Sequence, residues 1–140
     1  KNKEYGITLF FEGKKVLLEG FVDSGNMLRD AFSDTPVIIC NYQKVKPLFN
    51  EKLDKVFSKE KFEIGFYGDI ITSGYSDRFR VIPFETIDGE GVLAAIIIDK
   101  AILHTAQNNQ KIEKIIMAVT HKKIAGGEFD VLLSPELISF

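Results

Sequence analysis

The chain has 140 residues, 45 % of them hydrophobic and 27 % charged, with a net charge of −2. That length suits one domain, residues 1–140, and is enough to bury a core without disulfide or metal. A near-neutral balance argues against a nucleic-acid partner, which needs a basic face. The single cysteine, Cys40, rules out a disulfide framework within the chain and a CxxC zinc pair.

Tyr5–Glu12 and Lys15–Val22 are β-rich and flank Gly13-Lys14, which predicts a hairpin with a two-residue turn. Asp23-Ser24-Gly25-Asn26 then ends the second strand with turn-forming residues. Pro36–Cys40 is a short apolar run that reads as a buried strand. Leu48, Phe49, Leu53, Val56 and Phe57 recur at helical spacing and predict one helix with this stripe in the core, Pro47 sitting in its first turn. Phe62–Asp77 is rich in glycine and polar residues and reads as a loop or mobile hairpin. Arg78–Ile87, Gly91–Asp99 and Lys111–Thr120 read as three strands, with Pro83 marking an edge or a bulge and His104–Gln110 a polar connection. Glu128–Ile138 is apolar again and is expected to dock as a strand or a short helical turn. The fold class expected is mainly β with one or two helices.

Gly20-Phe21-Val22-Asp23-Ser24-Gly25-Asn26 carries the chemistry. An apolar strand delivers a carboxylate at its end, the hydroxyl residue can satisfy backbone groups beneath it, and the glycine lets the chain turn tightly. Aspartic proteolysis needs two such carboxylates held close enough to share one proton. One takes a proton from the attacking water while the other polarises the peptide carbonyl. The chain contains one Asp-Ser-Gly; Asp34-Thr35-Pro36 lacks the glycine, and its proline restricts the residue before it. A two-fold homodimer with one Asp23 from each copy is therefore expected. Catalysis is assigned to Asp23, and substrate binding to Ser24, Gly25, Gly74 and Tyr75. The competing reading is a dimerisation or peptide-binding module that does not cleave.

The order of elements resembles a retroviral-type (retropepsin-like) acid-protease β-barrel subunit. On that mapping Gly65–Asp77, which holds Tyr67, Gly74 and Tyr75, is the flap over the substrate. Ile115-Ile116-Met117-Ala118 is the apolar strand beneath the active site, with Ala118 where a glycine is usual. Other residues read as structural: Cys40 as a small buried hydrophobe rather than a nucleophile paired with His104 or His121, and Arg78 and Arg80 as a solvent-facing edge with a weaker claim to grip substrate or partner.

Four segments also carry a more specific resemblance: Gly20–Leu28, Thr35–Ile39, Arg78–Phe84 and Glu128–Leu137. They are similar to the C-terminal part of the sporulation sigma-E factor-processing peptidases, the stage II sporulation protein GA family. The resemblance implies an aspartic endopeptidase, acting as a homodimer, that removes the N-terminal pro-segment of a sporulation sigma-factor precursor. It implies a transmembrane N-terminal half absent from this chain, a full-length protein in the membrane or sporulation septum of the mother cell, and this part as a soluble domain. It further implies activation by a signalling protein secreted from the forespore, and neither metal nor organic cofactor. A contribution of Leu132–Phe140 to a dimer sheet is expected on the same ground.

Overall fold

A computed structural model describes residues 3–25, 28–30, 32–61, 65–86 and 89–138. The chain opens with an antiparallel hairpin of β1 (Glu4–Phe11) and β2 (Lys14–Val22). Its turn is Glu12-Gly13, one residue earlier than the sequence predicts. Both residues have positive φ, 49° and 79°, the left-handed pair that two-residue hairpins favour because its twist matches the strands. After the Asp23 turn and the loop 28–36 comes β3 (Val37–Asn41).

Helical structure begins ahead of the predicted helix, and the predicted span itself is interrupted at Asn50. Helix α1 (Tyr42–Val45) starts under Asn41, whose side chain accepts from the Gln43 N–H. A 3-10 turn at Lys46–Leu48, with Pro47 inside it, then runs to Asn50. Asn50 is not helical; its side chain accepts from the Leu53 N–H and starts α2 (Glu51–Phe57). The stripe Leu48, Phe49, Leu53, Val56 and Phe57 is buried throughout, as expected.

Within the expected loop or mobile hairpin Phe62–Asp77, and the flap Gly65–Asp77 mapped onto it, the chain instead forms helix α3 (Phe66–Ser73). Phe66, Ile70 and Ser73 fall four and then three residues apart and bury one face, and Gly74 closes the helix at φ 83°. Lys55 and Lys59 of the α2 segment bridge Asp69 at 3.6 and 2.8 Å, tying the two helices together.

Five strands follow where three were expected: β4 (Phe79–Thr86), β5 (Gly89–Ile97), β6 (Lys100–His104), β7 (Asn109–Glu113) and β8 (Ile116–Thr120). Lys111–Thr120 is two strands because Lys114 adopts φ 54°, which breaks the extended run. His104 and Asn109 are not a connection but the paired ends of β6 and β7. Last comes β9 (Val131–Leu133), then a 3-10 turn at Pro135–Leu137.

Among the described residues nine strands form one sheet in the order β4-β5-β8-β3-β9-β2-β1-β6-β7. The mainly β class therefore holds, but the sheet stays open, with β4 and β7 as its edges, rather than closing as a barrel. Pro83 lies on edge strand β4, where a missing N–H costs no ladder bond. The central strands are apolar on both sides because both sides are covered. Ile38, Cys40, Met117, Val131 and Leu133 join the large core under the helices, while Val37, Ile82, Ala95, Ile116 and Ala118 form a smaller cluster. Among the described residues no helix is long and apolar enough to cross a membrane.

Candidate active site

Asp23 stands just past the end of β2, where parallel pairing with β9 stops at Val22–Leu133. Its N–H donates to the Leu133 carbonyl at 3.1 Å, so the backbone is fixed as the chain leaves the sheet. Its Oδ1 accepts from the Gly25 N–H at 2.9 Å, an Asx turn that sets the carboxylate over Ser24 and Gly25. A Cβ on Gly25 would lie 3.3 Å from that oxygen, so any larger residue presses on the carboxylate. Asp23 is half-buried and Ser24 and Gly25 are exposed, so the group is held by main chain yet open to a ligand. Gly20 is the closest approach in this neighbourhood: a Cβ there would meet Leu133 Cδ1 at 2.9 Å, which keeps β2 tight on β9.

The strand that supports the Asp23 turn is thus β9, not the expected Ile115–Ala118. Strand β8 lies three places away in the sheet, beyond β3 and β9. In β9 two leucines, Leu132 and Leu133, precede a small residue, Ser134, which is fully buried and accepts from the Glu136 N–H at 3.3 Å. The substitution Ala118 makes for glycine therefore has no bearing on the turn.

The loop after the turn is built around Asp30, which is 3 % exposed. Its Oδ2 accepts from the Ser33 hydroxyl at 2.7 Å and the Ser33 N–H at 3.2 Å. Its own N–H donates to Thr35 O at 2.9 Å, and its carbonyl accepts from the Asp34 N–H at 2.8 Å. Arg80 of β4 places Nε 3.6 Å from Asp30 Oδ2, close enough for charge attraction and too far for a hydrogen bond. Arg80 therefore faces the loop rather than solvent, and it also caps the Asp77 and Phe79 carbonyls. Arg29 binds Glu136, which straps the loop to the turn that follows β9. Asp34 is an exposed turn residue at φ 57° whose carboxylate lies 3.5 Å from Arg29. Asn26 and Met27, which belong to the resemblance, lie outside the described residues, as do 62–64 of the expected loop or mobile hairpin and 139–140 of the expected dimer strand.

Gly74 and Tyr75 are not brought to Asp23. The Tyr75 hydroxyl donates to Glu12 Oε1 at 2.6 Å and its ring packs on Phe11, at the turn end of β2. The nine residues of β2 separate that end from Asp23, roughly 30 Å of extended chain at about 3.3 Å per residue. Arg78 lies there too, bound to Asp99 at 2.8 Å and stacked over Phe11. Burial pushes the Asp99 carboxyl up, but hydrogen bonds from Arg78 and from the Glu12 N–H, with the Arg78 charge, outweigh it and hold the pKa below its ordinary value. A lowered folded-state pKa gives stability that is complete above the unfolded value, about 3.9, and is lost as pH falls through the folded one. Asp99→Asn should therefore lower the urea midpoint at pH 7 and flatten its decline below about pH 4; equal slopes in the two proteins would show that Asp99 is not linked to folding.

The hairpin that does reach the site's neighbourhood is β4–β5, a feature hidden in the sequence because its two strands read as ordinary sheet. With Leu28 and Leu132 it walls a cavity of about 460 Å³ at the end of β8. Asp23 does not line this cavity; Leu28 and Leu132, five residues on and one strand over, connect the two. His121 also lines it, stacked on Tyr42 and bound through Nε2 to Phe57 O at 2.8 Å. Cys40 is fully buried and burial pushes its thiol far up, which removes it as a nucleophile. Among the described residues no three His, Cys, Asp or Glu are grouped to hold a metal ion.

The family described as "Sporulation factor SpoIIGA" matches residues 1–137. The chain is 25 % identical over 131 residues to the sporulation sigma-E factor-processing peptidase of Bacillus subtilis (strain 168), covering 87 % of this chain and 40 % of that protein. It is 24 % identical over 134 residues to the protein of the same name from Priestia megaterium, covering 94 % and 43 %. A putative sporulation sigma factor-processing peptidase of Bacillus thuringiensis subsp. kurstaki is 25 % identical over 124 residues, covering 86 % of this chain and 75 % of that one. The chain thus spans less than half the length of the first two relatives. No solved structure matches.

Proposed function

We propose, from the premise that the chain belongs to the SpoIIGA family of sporulation factors, that it is the proteolytic part of an aspartic endopeptidase. Its substrate is the precursor of a sporulation sigma factor, the processing named in its relatives. The observation that carries the reading is the Asp23 turn: a carboxylate at a strand end, fixed through its N–H to Leu133 and through Oδ1 to Gly25, and still open to a ligand.

One carboxylate does not complete the chemistry, so Asp23 of a second copy supplies the other across a two-fold axis. Two carboxyls in contact share one proton. The ionised one takes a proton from water, whose oxygen attacks the scissile carbonyl carbon, and the protonated one gives its proton to the carbonyl oxygen. The tetrahedral diol then collapses: a proton passes to the amide nitrogen, the C–N bond breaks, and an acid and an amine leave. The reading gives Ser24 and Gly25 to substrate binding beside the dyad. Gly74 and Tyr75 have no place in it. A secreted activator and a membrane-spanning remainder belong to the same proposal, the second because confinement to a membrane raises the effective concentration of the two copies.

The test is co-expression of the chain with the sigma-factor precursor, scoring cleavage for wild type and Asp23→Ala. Cleavage by the wild type alone supports the reading. Equal cleavage by both overturns it. Binding of the precursor by both without cleavage, even with the activating protein and the full-length enzyme, would leave a protease-like binding module.

A further inference from the structure

The cavity beside the Asp23 turn has a distinct charge pattern. Leu28, Ile39, Phe84, Leu93 and Leu132 make an apolar floor, and all are only half-buried. Lys59, Lys61, Lys122 and Lys123 stand on its lining, against a single described acid, Glu60. Lys59 is already paired with Asp69 at 2.8 Å. Lys61, Lys122 and Lys123 have no ion pair among the described residues, and all three are exposed. This concentration of positive charge is local, because the chain as a whole carries −2.

Apolar floor and cationic rim together define an occupant. The volume, about 460 Å³, holds two or three large side chains and is concave, which a flat lipid surface does not fill. An extended peptide fits: apolar side chains on the floor, carboxylates at the rim. Leu28 and Leu132 both line the cavity, and Leu132 immediately precedes Leu133, whose carbonyl accepts from the Asp23 N–H, so the cavity and the carboxylate share one stretch of β9. We infer that this cavity is a specificity site for an acidic–apolar stretch of the protein substrate flanking the cleaved bond, an inference that rests on the endopeptidase reading above. Electrostatic attraction at the rim selects for acidic segments and speeds their encounter.

The experiment separates binding from cleavage. The Asp23→Asn chain is titrated with a fluorescent ten-residue peptide carrying a Leu-Leu pair flanked by four glutamates, and with its all-glutamine counterpart. The glutamate peptide should bind at least about tenfold more tightly at 50 mM salt, a preference that shrinks at 300 mM as screening shortens the reach of the lysines. The surface reversal Lys122→Glu/Lys123→Glu should abolish the preference while the circular dichroism spectrum stays unchanged. Equal binding of the two peptides, binding of neither, or a preference indifferent to the reversal overturns the inference. Binding to phosphatidylserine vesicles that the reversal removes, with no peptide binding, overturns it in favour of a lipid surface. Cleavage surviving in Asp23→Ala would sink the aspartic reading and leave the peptide titration to be judged alone.

Discussion

Asp23→Asn should reduce precursor cleavage by at least about 10³-fold while leaving the urea midpoint nearly unchanged. Asparagine keeps the shape of the side chain and can still accept the Gly25 N–H, so the turn survives. What it cannot do is take a proton from water or share one with a second carboxyl. A stoichiometric version distinguishes a dyad from two independent sites. If the site needs Asp23 from both copies, a nine-fold excess of Asp23→Ala chains leaves about one in ten wild-type chains with a wild-type partner, so activity per wild-type chain falls about tenfold. Activity per wild-type chain that ignores the excess would mean that one carboxylate suffices.

Asp30→Ala should destabilise the chain by about 2–4 kcal/mol, read from the urea midpoint. The carboxylate is 3 % exposed and gathers the Ser33 hydroxyl and N–H, and its loss strands the Arg80 guanidinium beside it. The estimate sits below the full cost of breaking a buried pair because the Arg80 side chain is 25 % exposed and water screens it. Asp30→Asn, which can still accept from Ser33, should recover part of the loss. Replacing both partners, Asp30→Leu with Arg80→Met, should recover more than Asp30→Leu alone, because no orphaned charge remains. A change under about 0.5 kcal/mol in Asp30→Ala would mean the loop is held by its backbone bonds and the Arg29–Glu136 pair without Asp30.

The outline of the fold was legible where local rules decide it. The β1–β2 hairpin, the buried run into Cys40, the stripe on α2 and the edge position of Pro83 follow from periodicity and proline chemistry. The errors fall where tertiary contacts decide. Gly65, Gly68 and Gly74 suggested a flap, yet two of them start and stop α3 and the third sits exposed on its outer side. The Phe66–Ile70 spacing was the overlooked signal: α3 buries that face in the main core, and Lys55 and Lys59 bridge Asp69 beside it. Asp23 could be singled out from its turn residues. Its neighbours could not: Leu133, Glu136 and Arg80 reach the site by pairings across 50 to 110 positions of the chain. The lysine rim was equally hidden, since Lys61 and Lys122 belong to segments that meet only in the folded molecule.

Those distant pairings also set a timetable for the nascent chain. Glu19 donates its N–H to Asp130, 111 positions later, and the Asp23 N–H waits on the Leu133 carbonyl. While a ribosome is still translating the stretch before β9, the carboxylate-bearing turn has no neighbour on that flank, and Arg29 has no Glu136 to hold. Non-local strand pairing of this kind is slow because the loop entropy is lost before the contacts form. The turn is thus assembled among the last parts of the domain, and fragments released before Val131 is made carry Asp23 without the strand that fixes it.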